Sequence, residues 1–138
     1  MIRRADAEDA EICVDVLRNW IEETPWMPMV HNRASMVAFW RGRLADAEGW
    51  MVGQDGFALR DGDFMTALYV AKHARNTGVG SRLLDAAAGG RDTKLWTFQA
   101  NAEARAFYAR RGFSELKRTD GDNEEGLPDI LLERLAQR

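Results

Sequence analysis

At 138 residues with 46% hydrophobic content, the chain has the length and apolar share of one ordinary domain with its own core, read as a single domain over 1–138. Its net charge of −3 gives no general electrostatic support for nucleic-acid binding. The charged opening Met1 to Asp9 is unlike a secretory leader, and no apolar run approaches the roughly 20 residues that span a bilayer. The expectation is therefore a soluble, cytoplasmic protein with neither nucleic-acid nor membrane partners. The single cysteine, Cys13, excludes an internal disulfide and a cysteine-rich metal centre, so no metal is expected.

Ile2 to Arg4 reads as a first strand, and Asp6 as the N-cap of a helix with Ala10, Cys13, Val14 and Leu17 on its inner face, ended by Pro25 and Pro28. A second helix over Ser35 to Asp46 spaces Val37, Trp40, Arg41 and Leu44 along one side, with Phe39 beside them. Trp50 to Val52, Phe57 to Arg60 and Phe64 to Val70 read as an antiparallel meander, joined by Gln-Asp-Gly and Asp-Gly-Asp hairpin signals. Gly78 to Ala88 is a helix with Val79, Leu83, Leu84 and Ala87 on one face and Gly89-Gly90 at its end. Lys94 to Phe98 is a compact apolar strand. Asn101 then caps a helix with Glu103 in its first turn, Arg110 and Arg111 in its last, and Gly112 just beyond. Phe113 to Arg118 and Ile130 to Leu135 close the pattern as strands, with the acidic stretch Thr119 to Pro128 between them as a mobile loop. The fold class is α/β, a mixed sheet in the order β-α-α-β-β-β-α-β-α-β-β. The helical crossover predicts that the strands from Phe64 and Lys94 are parallel neighbours.

Between the meander and its following helix lies Arg75-Asn76-Thr77-Gly78-Val79-Gly80-Ser81, where unpaired amides and the positive end of a helix converge, a place suited to phosphate. Lys72 and Arg75 add charge at its rim. From Ala71 to Arg111 there are eight Lys or Arg against three Asp or Glu, so this segment is basic within an acidic chain. A dinucleotide-binding turn would need a third small residue where Leu83 stands and an acidic residue within Trp96 to Asn101; a nucleotide-triphosphatase loop would need Gly-Lys-Ser/Thr, but Ser81-Arg82 follow Gly80.

Arg75 to Gly80 fit Gln/Arg-x-x-Gly-x-Gly/Ala, preceded by Leu68-Tyr69-Val70, and Asn101-x-x-Ala104-x-x-Phe107-Tyr108-x-x-x-Gly112-Phe113 follows at a characteristic spacing. In these two blocks the chain resembles the GNAT superfamily of acyl-CoA-dependent N-acetyltransferases, well over Phe57 to Arg118 and by topology alone in the opening helices. The resemblance implies a central twisted sheet splayed between its fourth and fifth strands, with acetyl-CoA entering the splay. Leu68, Tyr69 and Val70 would pair with the pantetheine arm, and the amides of Asn76, Thr77, Gly78, Val79, Gly80 and Ser81 would hold the pyrophosphate. Lys72, Arg75, Arg82 and Arg110 are candidates for the outer phosphate. Tyr108 sits where the family places the acid that protonates the departing thiolate; by composition alone it is a core tyrosine beside Phe107. Asn101 reads both as an N-cap and as a pantetheine contact.

An attacking alkyl amine, with a pKa of about 10, needs a base or a water path to one. An amide N–H freed by a bulge or splay at Leu68 to Val70 would hold the oxyanion. Many family members place Glu near the position of Thr66, which cannot accept a proton from ammonium. Glu22 and Glu23, ahead of His31 and Asp63, are the candidates for a water-relayed base. The stiff aromatic connection around Trp20 and Trp26, with Thr66, is the candidate acceptor pocket, although tryptophans there also serve to cap a core. The function expected is acetyl transfer to a primary amine of a small molecule. A protein N-terminus or lysine is the alternative acceptor, and a non-catalytic acyl-CoA-binding sensor the alternative class. The resemblance also implies a homodimer.

Overall fold

The computed structural model describes residues 1–136, and the chain divides into two compact units at Gly89/Gly90. The fold is mixed α/β with the predicted order of elements. In the first unit, β1 (Ile2–Ala5), β2 (Glu48–Val52), β3 (Gly56–Asp61) and β4 (Phe64–Val70) lie side by side in that order, each pair antiparallel. Helices α1 (Ala10–Glu23) and α2 (Arg33–Asp46) follow β1, and α3 (Val79–Ala88) follows β4.

Strand alternation assigns the helices to faces. Phe57 and Leu59 of β3 join Met51 and Ala67 in a core with Ala10, Cys13, Val14, Val16 and Leu17 of α1 and Met36, Val37 and Leu44 of α2. The intervening residues serve α3. Buried Arg60 donates from Nη1 to the carbonyl of Ala87 at 3.1 Å, and a Cβ on Gly56 would stand 2.8 Å from the Tyr69 carbonyl oxygen and 3.1 Å from Leu83 Cδ1. Gly56 is therefore the point at which α3 can lie close against the sheet. Cys13 is a core thiol, and burial pushes its pKa up to about 12.

Two helix starts differ from the sequence expectation. Asp6 caps a 3₁₀ turn (Ala7–Asp9) rather than α1, accepting from the Glu8 amide while Asp9 accepts from the Asp6 amide at 2.9 Å. Arg3 bonds both oxygens of Asp9, at 2.7 and 3.1 Å, and holds its carboxyl below the usual carboxylate range. The second helix begins at Arg33, because Asn32 supplies the cap to the Ser35 amide. Arg41 and Phe39 face outward, Phe39 with 60% of its surface exposed.

The second unit holds β5 (Thr93–Phe98), α4 (Ala102–Arg110), β6 (Ser114–Thr119) and β7 (Asp129–Arg134), with strand order β5-β7-β6 and both pairs antiparallel. The acidic stretch before β7, expected to be mobile, is tied down from inside. Buried Asp129 accepts from Thr119 Oγ1 and, at 3.1 Å, from Asn123 Nδ2, which also donates to the Leu127 carbonyl at 2.7 Å. Among the described residues no helix is long and apolar enough to cross a membrane.

Candidate active site

The chain leaves β4 at Val70, makes a 3₁₀ turn over Lys72–Ala74 and reaches α3 through two left-handed residues, Asn76 at φ 63° and Gly78 at φ 92°. Asn and Gly are the residue types that adopt this conformation at least cost. The space around a Cβ at Gly78 is open, so φ rather than crowding demands glycine there. Thr77 Oγ1 donates back to the Ala74 carbonyl and tightens the turn. The first rung of α3 runs from the Arg82 amide to the Gly78 carbonyl at 3.1 Å. The amides of Gly78, Val79 and Gly80 therefore precede the helical ladder, at the positive end of its dipole.

The edges of β4 follow from one bond. The Ala71 amide donates to the Asp55 carbonyl at 2.7 Å, in register with Gly56↔Val70 and Phe57↔Tyr69. Antiparallel alternation then turns the backbone groups of Tyr69 and Ala67 toward β3 and those of Leu68 and Val70 toward the opposite edge. Of the bulge or splay expected at Leu68 to Val70, the bulge lies upstream. Arg60 pairs with Met65 and Leu59 with Ala67, which leaves Thr66 as the extra, exposed residue. Leu68 to Val70 remain regular, so alternation and not a bulge directs their amides.

Arg75, expected at the rim of the turn as a candidate for the outer phosphate, is engaged by protein groups. Its Nε donates to the Val70 carbonyl at 3.2 Å and its Nη1 to Glu23 Oε2 at 3.2 Å. Its Nη2 is enclosed and has no partner among the described residues. Lys72 and Arg82 are exposed on the same unit, and Arg110 is exposed on the second.

At the connection expected to line an acceptor pocket, Thr24 caps α1 just before Pro25, its Oγ1 donating to the Trp20 carbonyl at 2.6 Å. The Trp20 ring meets Trp26 edge-on at 5.9 Å and the Tyr69 ring at 5.3 Å; Tyr69 continues to Phe57 at 5.7 Å. Two of the three residues proposed for the pocket are thus brought together. Thr66 makes no ring contact with them and leans instead toward the Leu59 carbonyl at 3.5 Å. A cavity of about 730 Å³ opens beside the end of α1, lined by Asp15, Glu22, Glu23, Asp55, Lys72 and His73 among others. His73 Nε2 is 2.7 Å from Asp55 Oδ1. Sequence reasoning missed this pair and the ring of Tyr69, since Asp55 reads as a hairpin residue and Tyr69 as backbone contact alone. Of the other base candidates, His31 lies on an exposed turn where its carbonyl accepts from Arg18, and Asp63 on the exposed turn between β3 and β4.

In the second unit, Tyr108 is 7% exposed, its ring 5.2 Å from Phe107 and 5.4 Å from Phe113. Its carbonyl accepts from the amides of Arg111 and Phe113 and so ends α4, with Gly112 at φ 86°. Asn101 caps α4, Oδ1 accepting from the Ala104 amide at 3.0 Å.

Residues 36–115 match the acetyltransferase (GNAT) domain family. The chain is 32% identical over 101 residues to the probable N-acetyltransferase Rv2775 of Mycobacterium tuberculosis, a match covering 68% of the chain and 55% of that protein, so the chain spans about half of that relative's length. It is 29% identical over 139 aligned positions to the peptidyl-lysine N-acetyltransferase YjaB of Salmonella typhimurium, covering 95% of the chain and 94% of that protein. The fold is shared with yncA of Salmonella typhimurium, solved with acetyl-CoA: TM-score 0.73, 16% identity, over 100% of the chain and 94% of yncA.

Proposed function

The chain belongs to the GNAT acetyltransferase family, and from that premise we propose that it transfers acetyl from acetyl-CoA to the primary amine of a lysine side chain, as a single catalytic domain in the cytoplasm. The observation that carries the donor half is the backbone from Val70 to α3, which combines outward-directed strand groups with amides that precede a helix. The acceptor is supported by the likeness to a peptidyl-lysine acetyltransferase over nearly the whole of both chains. The open cavity beside Glu22 favours a second reading, a free small amine, which fits its carboxylate-rich lining.

In this reading the amides from Asn76 to Ser81 hold the pyrophosphate, and the groups of Leu68 and Val70 that face away from β3 align the pantetheine arm. The amide of one of them donates to the acyl carbonyl oxygen as negative charge builds there. Asn101 uses Oδ1 on its helix and keeps Nδ2 for the arm. Tyr108 gives its phenolic proton to the departing thiolate and regains one from the proton that the new amide nitrogen sheds after attack. Glu22 receives the ammonium proton through water, because Glu23 is already bonded to Arg75. Trp20, Trp26 and Tyr69 form an aromatic wall suited to an approaching ammonium, which Thr66 does not join.

Release of CoA thiol is the assay, with acetyl-CoA offered against a lysine-bearing peptide blocked at its N-terminus, the same peptide with lysine acetylated, and a panel of small diamines. Release that requires the free lysine supports the first reading, and release with diamines alone supports the second. Tight acetyl-CoA binding with no amine-dependent release at any pH overturns both.

A further inference from the structure

Arg75 has five donor hydrogens on a group that cannot lose its charge. Two of its three nitrogens are bound at 3.2 Å, Nε to Val70 and Nη1 to Glu23, while Nη2 is enclosed and has no acceptor among the described residues. A buried donor left unmatched is costly and is relieved by any oxygen that reaches it. Glu23 has its own need for Arg75. It is the last residue of α1, at the negative end of the helix dipole, and that last turn contains no basic residue. The counter-charge comes from 52 residues away, and both side chains are less than a third exposed, 29% for Arg75 and 28% for Glu23, so water screens the pair only in part.

We propose that Glu23 competes with a phosphate of acetyl-CoA for Arg75, and thereby sets how strongly the chain holds the phosphorylated end of its co-substrate. This rests on the acetyl-CoA reading above. A phosphate oxygen reaches Nη2 only as the guanidinium swings out of its contact with Glu23; it then completes the guanidinium's hydrogen bonding, but at the expense of that ion pair. Affinity is therefore held below what Arg75 alone would give, and occupation of the phosphate site withdraws charge from the end of α1. Glu23 acts here as a positioning residue through Arg75.

The test is titration calorimetry on the full chain and on Glu23→Gln, which keeps an acceptor oxygen for Nη1 and removes only the charge. Two probes are compared: acetyl-CoA, and S-acetylpantetheine, which has the arm and thioester without phosphates. Glu23→Gln is expected to tighten acetyl-CoA binding about threefold, within the range of partly screened ion pairs, and to leave acetylpantetheine unchanged. In an Arg75→Leu background the same substitution has no effect on either probe. Unchanged or weaker acetyl-CoA binding, or an equal gain with acetylpantetheine, overturns the proposal. Acetyl-CoA that fails to bind the unmodified chain overturns the donor reading itself.

Discussion

The turn before α3 and the segment around Tyr108 are proposed as two different kinds of site. In the turn, Asn76 and Gly78 are fixed by positive φ and the amides up to Gly80 by the start of a helix, so backbone conformation alone defines what the segment offers. Around Tyr108 the backbone is an ordinary helix end, and the proposed chemistry resides in one phenol packed between Phe107 and Phe113. A backbone site is robust to side-chain exchange and sensitive to conformation; a side-chain site has the opposite profile.

Substitutions can break this contrast. The largest effect is expected from Tyr108→Phe, which keeps the ring packing and removes the proton: turnover falls by about 100-fold or more while the acetyl-CoA dissociation constant holds, measured by thiol release and calorimetry. A fall in binding equal to the fall in turnover would make Tyr108 a packing residue. Gly56→Ala comes next, because its Cβ meets the Tyr69 backbone oxygen at 2.8 Å; it is expected to cost about 1–3 kcal/mol in urea unfolding. Gly78→Ala meets no atom but must adopt φ 92°, and is expected to cost about 1 kcal/mol and to weaken acetyl-CoA binding with turnover at saturation preserved. Asn76→Gly, at φ 63°, should be nearly silent in both assays.

Two titrations bear on the first unit by itself. Asp9 has a lowered folded pKa, so its contribution is present above the unfolded value of 3.8 and is lost as pH falls through the folded one; Asp9→Asn should flatten the acid limb of the stability curve. Cys13 has a raised one, so the folded state resists its ionisation. Stability should decline as pH rises above the unfolded value of 9.0 and toward about 12, and Cys13→Ala should remove that slope in thermal melts.

The contrast also explains what could be read from sequence. The strands, the apolar faces of α1 and α3, and the glycines of the turn are local patterns, and their periodicity or φ requirement is visible in a short window. The caps at Asp6 and Asn32 were misplaced or missed because several polar residues near each start compete for the role. Arg75 with Glu23, His73 with Asp55 and Trp20 with Tyr69 join residues distant along the chain. Each member reads singly as a rim charge, a turn residue or a core aromatic; the packing of α1 against β4 supplies the partners of Glu23 and Trp20, and the pairing of β3 with β4 that of His73. Glu23 shows the consequence most directly: as one residue of a sequence it was a candidate base, while as a neighbour of Arg75 it is a counter-ion.

Thr66 has a meaning beyond its unsuitability as a base. Met65 faces Arg60 and Ala67 faces Leu59, so the pairing of β4 with β3 is complete without it. Removing Thr66 would leave every other residue opposite its present neighbour and facing the same side of the sheet. The residue is surplus to the count of the ladder and contributes curvature instead, which makes β4 a strand whose bend is encoded separately from its pairing.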